Sequence, residues 1–144
     1  MSVVAWDGKS LCADKQITDN GLRQTVTKIF KTRYGLVSLT GSYAGGLKML
    51  NWIKGGSKKG EYPHESQSDR DRFASIILIT PKKNIIVYNR EDVGMVIEEP
   101  FIADGSGRDF ALAALHLGKG SRKAVEVACK FDTSCGQGID ELFL

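Results

Sequence analysis

Short apolar runs separated by turn residues mark the start of the chain, a pattern typical of β-strands. Residues 3–6 form one such run, Asp7-Gly8 is a strong two-residue hairpin signal, and residues 9–13 return as a second strand. A hairpin folded at Asp7-Gly8 places Asp14 beside the beginning of the chain. A later run over residues 24–30 is rich in β-branched residues and favours another strand.

The middle of the chain combines one helix with further strands. Small residues at 40–46 lead from a short strand into a segment whose apolar positions recur at helical spacing. Residues 75–80 and 84–88 predict a hairpin, and weaker strand signals follow it. In contrast, residues 55–72 are rich in glycine, serine and charged residues, which predicts a flexible loop or a truncated helix region.

Two helices and a final strand are predicted for the last part of the chain. The Gly-Ser-Gly stretch around Ser106 opens the first helix, with Ser106 as its N-cap, and residues 139–144 form the strand. Taken in order, the pattern runs strands, helix, strands, two helices, strand. This order predicts a layered α+β fold in which one sheet packs on another with the helices outside.

Composition and charge narrow the class of protein. A chain of 144 residues with 42% hydrophobic and 26% charged residues is typical of one soluble globular domain. The net charge of +3 is spread out, and the paired lysines at 58–59 and 82–83 lack the interleaved aromatics of a nucleic-acid surface. No secretory signal and no apolar run of ~20 residues is present, which predicts a cytoplasmic protein that does not enter a membrane.

Neither a metal nor a cofactor is predicted. The three cysteines have no metal-ligand spacing, and two histidines supply too few ligands for a zinc site. The glycines at 105 and 107 are a feeble dinucleotide signal, because no strand-turn-helix unit opens the chain in the required way. The segment 40–46 lacks the ending of a phosphate-binding P-loop.

The start of the chain carries candidate chemistry. Removal of the initiator methionine would leave Ser2 with a free α-amine and a hydroxyl near the carboxylate of Asp14. An α-amine, with an ordinary pKa of roughly 7.7–8.0, can act as general base for its own side-chain oxygen. Lys28 would share a strand face with apolar neighbours, so it either extends to solvent or points inward at Asp14. The alternative is a sheet-edge hairpin without chemistry.

The sequence resembles the proteasome β-subunit and HslV-type proteases, which have the N-terminal nucleophile hydrolase fold. The resemblance is carried, in order, by Met1-Ser2-Val3-Val4, Leu11-Cys12-Ala13-Asp14, Thr27-Lys28-Ile29, Leu39-Thr40-Gly41-Ser42-Tyr43-Ala44-Gly45, Asp104-Gly105-Ser106-Gly107 and Asp132-Thr133-Ser134-Cys135-Gly136. It implies a four-layer αββα sandwich of two antiparallel sheets in a single domain over residues 1–144. The fold would be reduced in size, since residues 55–72 lack the family's second long helix.

The resemblance also implies roles for individual residues. Asp14 matches the aspartate that holds the catalytic lysine, and Lys28 matches that lysine. Gly41 matches the glycine whose backbone N–H helps to form the oxyanion hole, while Ser106 and Asp132 match residues that support the amine from behind. Losing one oxyanion-hole donor costs roughly 3–4 kcal/mol of transition-state stabilisation.

The sequence departs from the family in two places that matter for chemistry. Cys135 stands where many subunits have another serine. At the start, one alignment puts Met1 at the nucleophile position and predicts an inactive protein, whereas the other makes Ser2 the nucleophile. The first hairpin is shorter than the hairpin of the family. Because side chains alternate between the two faces of a sheet, a shortening by an even number of residues keeps Ser2 facing Asp14. This argument favours Ser2.

Three functions are therefore open. The first is a peptidase with an N-terminal serine nucleophile, working on polypeptides in a homo-oligomeric stacked ring with an ATP-dependent unfoldase, as the resemblance implies. The second is a catalytically inactive proteasome-like ring subunit with a structural or regulatory binding role. The third is hydrolysis of a small amide by the same residues, since a fold does not determine a substrate.

Overall fold

The computed structural model describes residues 2–64 and 73–144. Of the segment predicted as a loop or truncated helix, residues 55–64 form turns and coil, and the rest lies outside the described residues. The elements in chain order are β1 (Val4–Trp6), β2 (Ser10–Asp14), β3 (Gln16–Asp19), β4 (Leu22–Thr25), β5 (Ile29–Thr32), β6 (Gly35–Gly41), α1 (Tyr43–Lys54), β7 (Ala74–Ile79), β8 (Ile85–Tyr88), β9 (Met95–Ile97), β10 (Ile102–Asp104), α2 (Arg108–His116), α3 (Ser121–Phe131) and β11 (Ile139–Phe143).

The chain divides into two compact units. Unit 1 holds the chain up to Phe30 together with Glu99–Leu144, and unit 2 holds the described part of Lys31–Glu98. Unit 1 contains a four-stranded sheet in the order β10-β1-β2-β11, whose neighbouring strands are antiparallel. The described residues thus form an α+β protein with helices and sheets in both units.

The first hairpin confirms the sequence prediction, with its turn one residue later than expected. Trp6 pairs with Leu11, and the Asp7 N–H donates to the Ser10 carbonyl, so that Gly8 and Lys9 form the turn. The carboxylate of Asp7 accepts hydrogen bonds from the Lys9 and Ser10 amides at 2.8 and 2.9 Å. Gly8 has a φ of 92°, which glycine adopts without steric cost.

The sheet of unit 1 is buried on both faces along its central strands β1 and β2. Its helix-side residues Val3, Ala5 and Cys12 form one cluster with small residues of α2 and α3. On the opposite face, Val4, Trp6, Leu11 and Ala13 are at most 1% exposed. Burial on both faces explains why residues 3–6 and 11–13 form continuous apolar runs rather than alternating ones.

A second hairpin of unit 1 corrects the strand predicted over residues 24–30. β3 and β4 pair around Asn20 and Gly21, whose φ values of 47° and 80° suit a tight hairpin turn. β4 ends at Thr25, and β5 begins only at Ile29. Between them the Val26 N–H donates to the Lys15 carbonyl at 2.8 Å, so tertiary contact interrupts the run that local propensity favours.

The second sheet has five strands in the order β5-β6-β7-β8-β9, of which β6 to β9 belong to unit 2, with α1 packed on β6 and β7. The β7–β8 hairpin confirms the prediction from its two apolar runs. Ser42 caps α1 by accepting a hydrogen bond from the Gly45 N–H at 3.2 Å. A Cβ at Gly46 would lie only 3.1 Å from the Cβ of Leu39. The lack of a side chain at Gly46 therefore allows α1 to pack closely on β6.

Replacing Ser38 is expected to stabilise the protein. Its hydroxyl, in the middle of β6, is 0% exposed and is the buried side-chain polar atom without a hydrogen-bond partner among the residues described. A buried, unpaired polar group costs about 1–3 kcal/mol. Ser38→Ala should therefore raise the free energy of unfolding by about 1 kcal/mol in urea titrations, and a loss of stability would contradict this explanation.

Candidate active site

A buried ion pair lies at the end of β2. The Lys28 Nζ donates to Asp14 Oδ1 at 2.7 Å, and the two residues are 3% and 0% exposed. Of the two orientations open to Lys28, the structure shows the inward one. The interruption between β4 and β5 makes this possible, since residues 26–28 are not part of a strand.

Backbone amides complete the shell of Asp14. The Val3 N–H donates to Oδ1 at 3.0 Å, while the Gln16 and Gly136 N–H groups donate to Oδ2 at 3.2 and 3.0 Å. A charge removed from water is tolerated only when its lone pairs are satisfied in this way. These amides were missed by sequence reasoning, because a backbone N–H carries no residue-type signal.

The peptide unit that joins Ser2 to Val3 is held from both sides. Its N–H is the group that donates to Asp14, and its carbonyl oxygen accepts from the Gly107 N–H at 3.2 Å and the Ser106 Oγ at 3.3 Å. Gly105, with a φ of 96°, lies so close that a Cβ would collide with this oxygen. Ser2 itself is 4% exposed. Its backbone is therefore fixed beside the buried ion pair.

Ser106 does not act as the predicted N-cap. The N-cap of α2 is Gly107, which has no side chain to cap the helix, and the helix begins at Arg108. The Ser106 hydroxyl instead donates to the carbonyl oxygen of Ser2, 104 positions earlier in the chain. This long-range partner competes with the local capping bond that the motif suggests.

The segment 132–136 brings Asp132 to Ser106 through Cys135. The Cys135 thiol donates to Asp132 Oδ2 at 3.4 Å and lies 3.8 Å from the Ser106 Oγ, so the thiol makes the contacts expected of a serine. Burial raises the pKa of Asp132, but hydrogen bonds, chiefly from the Ser134 amide, lower it overall. The resulting stabilisation is present above the ordinary pKa of 3.8 and is lost as the pH falls through the lowered value.

The cysteines are expected to be unreactive in the native protein. Burial raises the pKa of Cys12 and Cys129 to about 11, and burial together with the charge of Asp14 raises that of Cys135 to about 12. At pH 8 such thiols are ionised to about one part in a thousand or less. Iodoacetamide at pH 8 should leave all three unmodified until urea is added. Rapid native alkylation of Cys135 would contradict this and would make the thiol a competing nucleophile.

Gly41 lies in unit 2, whereas the other five predicted site residues lie in unit 1. It ends β6 with a φ of 76°, and a Cβ at this position would collide with the Phe73 carbonyl oxygen. The Ser42 N–H donates to that same oxygen at 3.2 Å. The local backbone therefore requires glycine at position 41.

Two kinds of feature are absent from the described part of the chain. No group of three or more histidine, cysteine, aspartate or glutamate residues there is arranged to hold a metal ion. No helix described is long and apolar enough to cross a membrane.

Comparison with known proteins gives a fold but no family assignment. No protein-family model and no curated protein matches the sequence. Among solved structures, Thiobacillus denitrificans BPH in complex with epoxomicin is similar with a TM-score of 0.73 and 18% identity, over 100% of this chain and 98% of the other. A second structure, of Thiobacillus denitrificans BPH, is similar with a TM-score of 0.69 and 18% identity, over 100% of this chain and 97% of the other. The chain shares the fold of that protein.

Proposed function

We propose that this protein is an N-terminal nucleophile hydrolase of the proteasome β-subunit and HslV type, which cleaves peptide bonds with Ser2. The observation that carries the proposal is the Ser2–Val3 peptide unit, which is held between Asp14 and Ser106 beside the buried Lys28 cation. Because taking two charges out of water is costly, an ion pair as buried as this one contributes little net stability. Its position next to the start of the chain supports a chemical role.

The fold of this proposal is a four-layer αββα sandwich of reduced size, formed by residues 1–144 as one domain. Antiparallel sheets with packed helices in both units are consistent with such layers. The burial of β1 and β2 on both faces of the unit 1 sheet is consistent with an inner layer. The likeness to BPH over 100% of this chain and 98% of the other adds support for the fold.

In the proposed reaction, removal of Met1 exposes the α-amine of Ser2. The amine takes the proton from the Ser2 hydroxyl while Oγ attacks the carbonyl carbon of the scissile peptide bond. The Gly41 N–H stabilises the oxyanion of the tetrahedral intermediate. Collapse of the tetrahedral intermediate breaks the C–N bond, and the amine returns the proton to the leaving nitrogen. Water, deprotonated by the same amine, then hydrolyses the acyl ester and frees Ser2.

Lys28 and Asp14 adjust the electrostatics of this reaction. A lysine cation near an α-amine lowers the pKa of the amine, which keeps it neutral and able to accept a proton. Asp14 holds that cation in place and is itself held by three backbone amides. Ser106 and Asp132 support the Ser2 backbone from the opposite side.

The proposed assembly is a homo-oligomeric stacked ring in the cytoplasm, supplied with unfolded polypeptide by an ATP-dependent unfoldase. Sedimentation velocity of the purified protein tests the ring, since a monomer would contradict it. If the ring forms from chains that lack Met1 but hydrolyse nothing, the inactive ring subunit becomes the better description.

Epoxomicin provides a direct test, because it is the molecule bound in the BPH complex. The purified protein is incubated with an unstructured polypeptide, with and without epoxomicin, and is then digested and mapped by mass spectrometry. We expect hydrolysis that epoxomicin abolishes and an adduct on the N-terminal peptide at Ser2. An adduct on another residue, or hydrolysis that is insensitive to epoxomicin, would contradict the proposed site.

A further inference from the structure

Gln16 is a buried polar residue for which the proposed chemistry has no role. It is the first residue of β3 and is 3% exposed, although the rest of the β3–β4 hairpin is largely in solvent. Its side-chain Nε2 donates to the Thr133 carbonyl at 3.1 Å and to the Thr18 hydroxyl at 3.1 Å. A buried carboxamide that reaches from one hairpin to a distant loop is a specific structural link.

The loop that Gln16 reaches also holds the site. Its Gly136 N–H donates to Asp14 Oδ2, and its Cys135 thiol lies between Asp132 and Ser106. The Lys15 N–H donates to the Gly136 carbonyl at 3.0 Å, so residues 14–16 and 132–136 are joined along their length. Among these contacts between residues 14–16 and 132–136, the Gln16 carboxamide is the side-chain donor, and it binds the loop at Thr133.

We propose that Gln16 is a positioning residue for the Ser2 site, acting through the loop 132–136. By holding Thr133, it sets where the Gly136 N–H meets Asp14 and where Cys135 meets Ser106. Both supports of the Ser2–Val3 peptide unit therefore depend on one loop. This inference rests on the proposed function for its catalytic consequence and on geometry alone for the link.

Gln16→Met tests the link, because methionine keeps the length and volume of the side chain but removes the donor. We expect kcat for peptide hydrolysis to fall about tenfold or more with KM changed less than about twofold, as misplaced reacting groups slow chemistry. Amide hydrogen exchange in peptides covering residues 132–136 should accelerate about tenfold. Exchange in the peptide that covers β7, in unit 2, should not change.

Two variants make the test specific. Gln24→Met, on the exposed β4 of the same hairpin, is the matched control and should leave both measurements unchanged. Gly136→Ala approaches the link from the loop, since its Cβ would lie 2.9 Å from the Gln16 Oε1 and displace the carboxamide. It should reproduce the loss of kcat.

Unchanged exchange and kcat in Gln16→Met would overturn the inference. So would faster exchange throughout the chain, because Gln16 would then be merely structural. If the wild-type protein hydrolyses no peptide, the proposed function fails, while the exchange comparison of Gln16→Met with Gln24→Met still decides whether Gln16 holds the loop.

Discussion

Ser2→Ala should abolish peptide hydrolysis while the protein still folds and assembles. Removing the nucleophile of a serine hydrolase lowers kcat by roughly four to six orders of magnitude. The fold should survive because the contacts that hold residue 2 use its backbone carbonyl and the next amide, which alanine retains. Alanine is also small enough for the initiator methionine to be removed, so the variant loses only the hydroxyl.

Two matched variants identify the cause of that loss. Ser2→Thr restores a hydroxyl on the terminal residue and should retain substantial hydrolysis. Ser38→Ala removes a buried serine hydroxyl in unit 2 and should leave hydrolysis unchanged. Initial rates on an unstructured polypeptide, with assembly checked by sedimentation, provide the comparison. Equal rates for Ser2→Ala and wild type would exclude Ser2 as the nucleophile.

Lys28→Met should both destabilise the protein and inactivate it. The substitution leaves the Asp14 carboxylate buried without its cation, and breaking a buried ion pair in this way costs about 3–5 kcal/mol. The three backbone amides that donate to Asp14 remain, which favours the lower end of that range. Urea unfolding at matched protein concentration measures the stability, and the rate of peptide hydrolysis measures the chemistry.

Lys15→Met is the control for that experiment. Lys15 Nζ lies 2.6 Å from Asp140 Oδ2, but the two side chains are 21% and 32% exposed, compared with 4% and 0% for Lys28 and Asp14. A solvent-exposed pair contributes about 0–1 kcal/mol. An equal loss of unfolding free energy in Lys15→Met and Lys28→Met would show that burial does not govern the Asp14 pair.

Elements with strong local signals could be predicted from the sequence. The β1–β2 and β7–β8 hairpins carry apolar runs with clear turn residues, and both are observed. The final strand predicted over residues 139–144 is also observed, as β11. The strands β3 and β4 were not predicted, although Asn20-Gly21 marks their turn. Their residues are mostly polar and solvent-exposed, so they show no hydrophobic periodicity.

Features that depend on distant partners could not be predicted in this way. The strand break before Lys28 follows from a hydrogen bond between Val26 and Lys15, and Ser106 binds the Ser2 carbonyl instead of capping α2. Local propensity takes no account of either of these distant partners. The family resemblance pointed to Asp14 and Lys28, but the amides that hold Asp14 are visible only in three dimensions.

The intact mass of the untagged, natively expressed protein tests the central claim most directly. Only a free Ser2 amine can accept the proton from its own hydroxyl, because an amide nitrogen is not basic. We expect a mass that lacks one methionine residue. A mass that retains Met1 on the assembled protein would contradict the hydrolase and leave a ring subunit that binds without cutting.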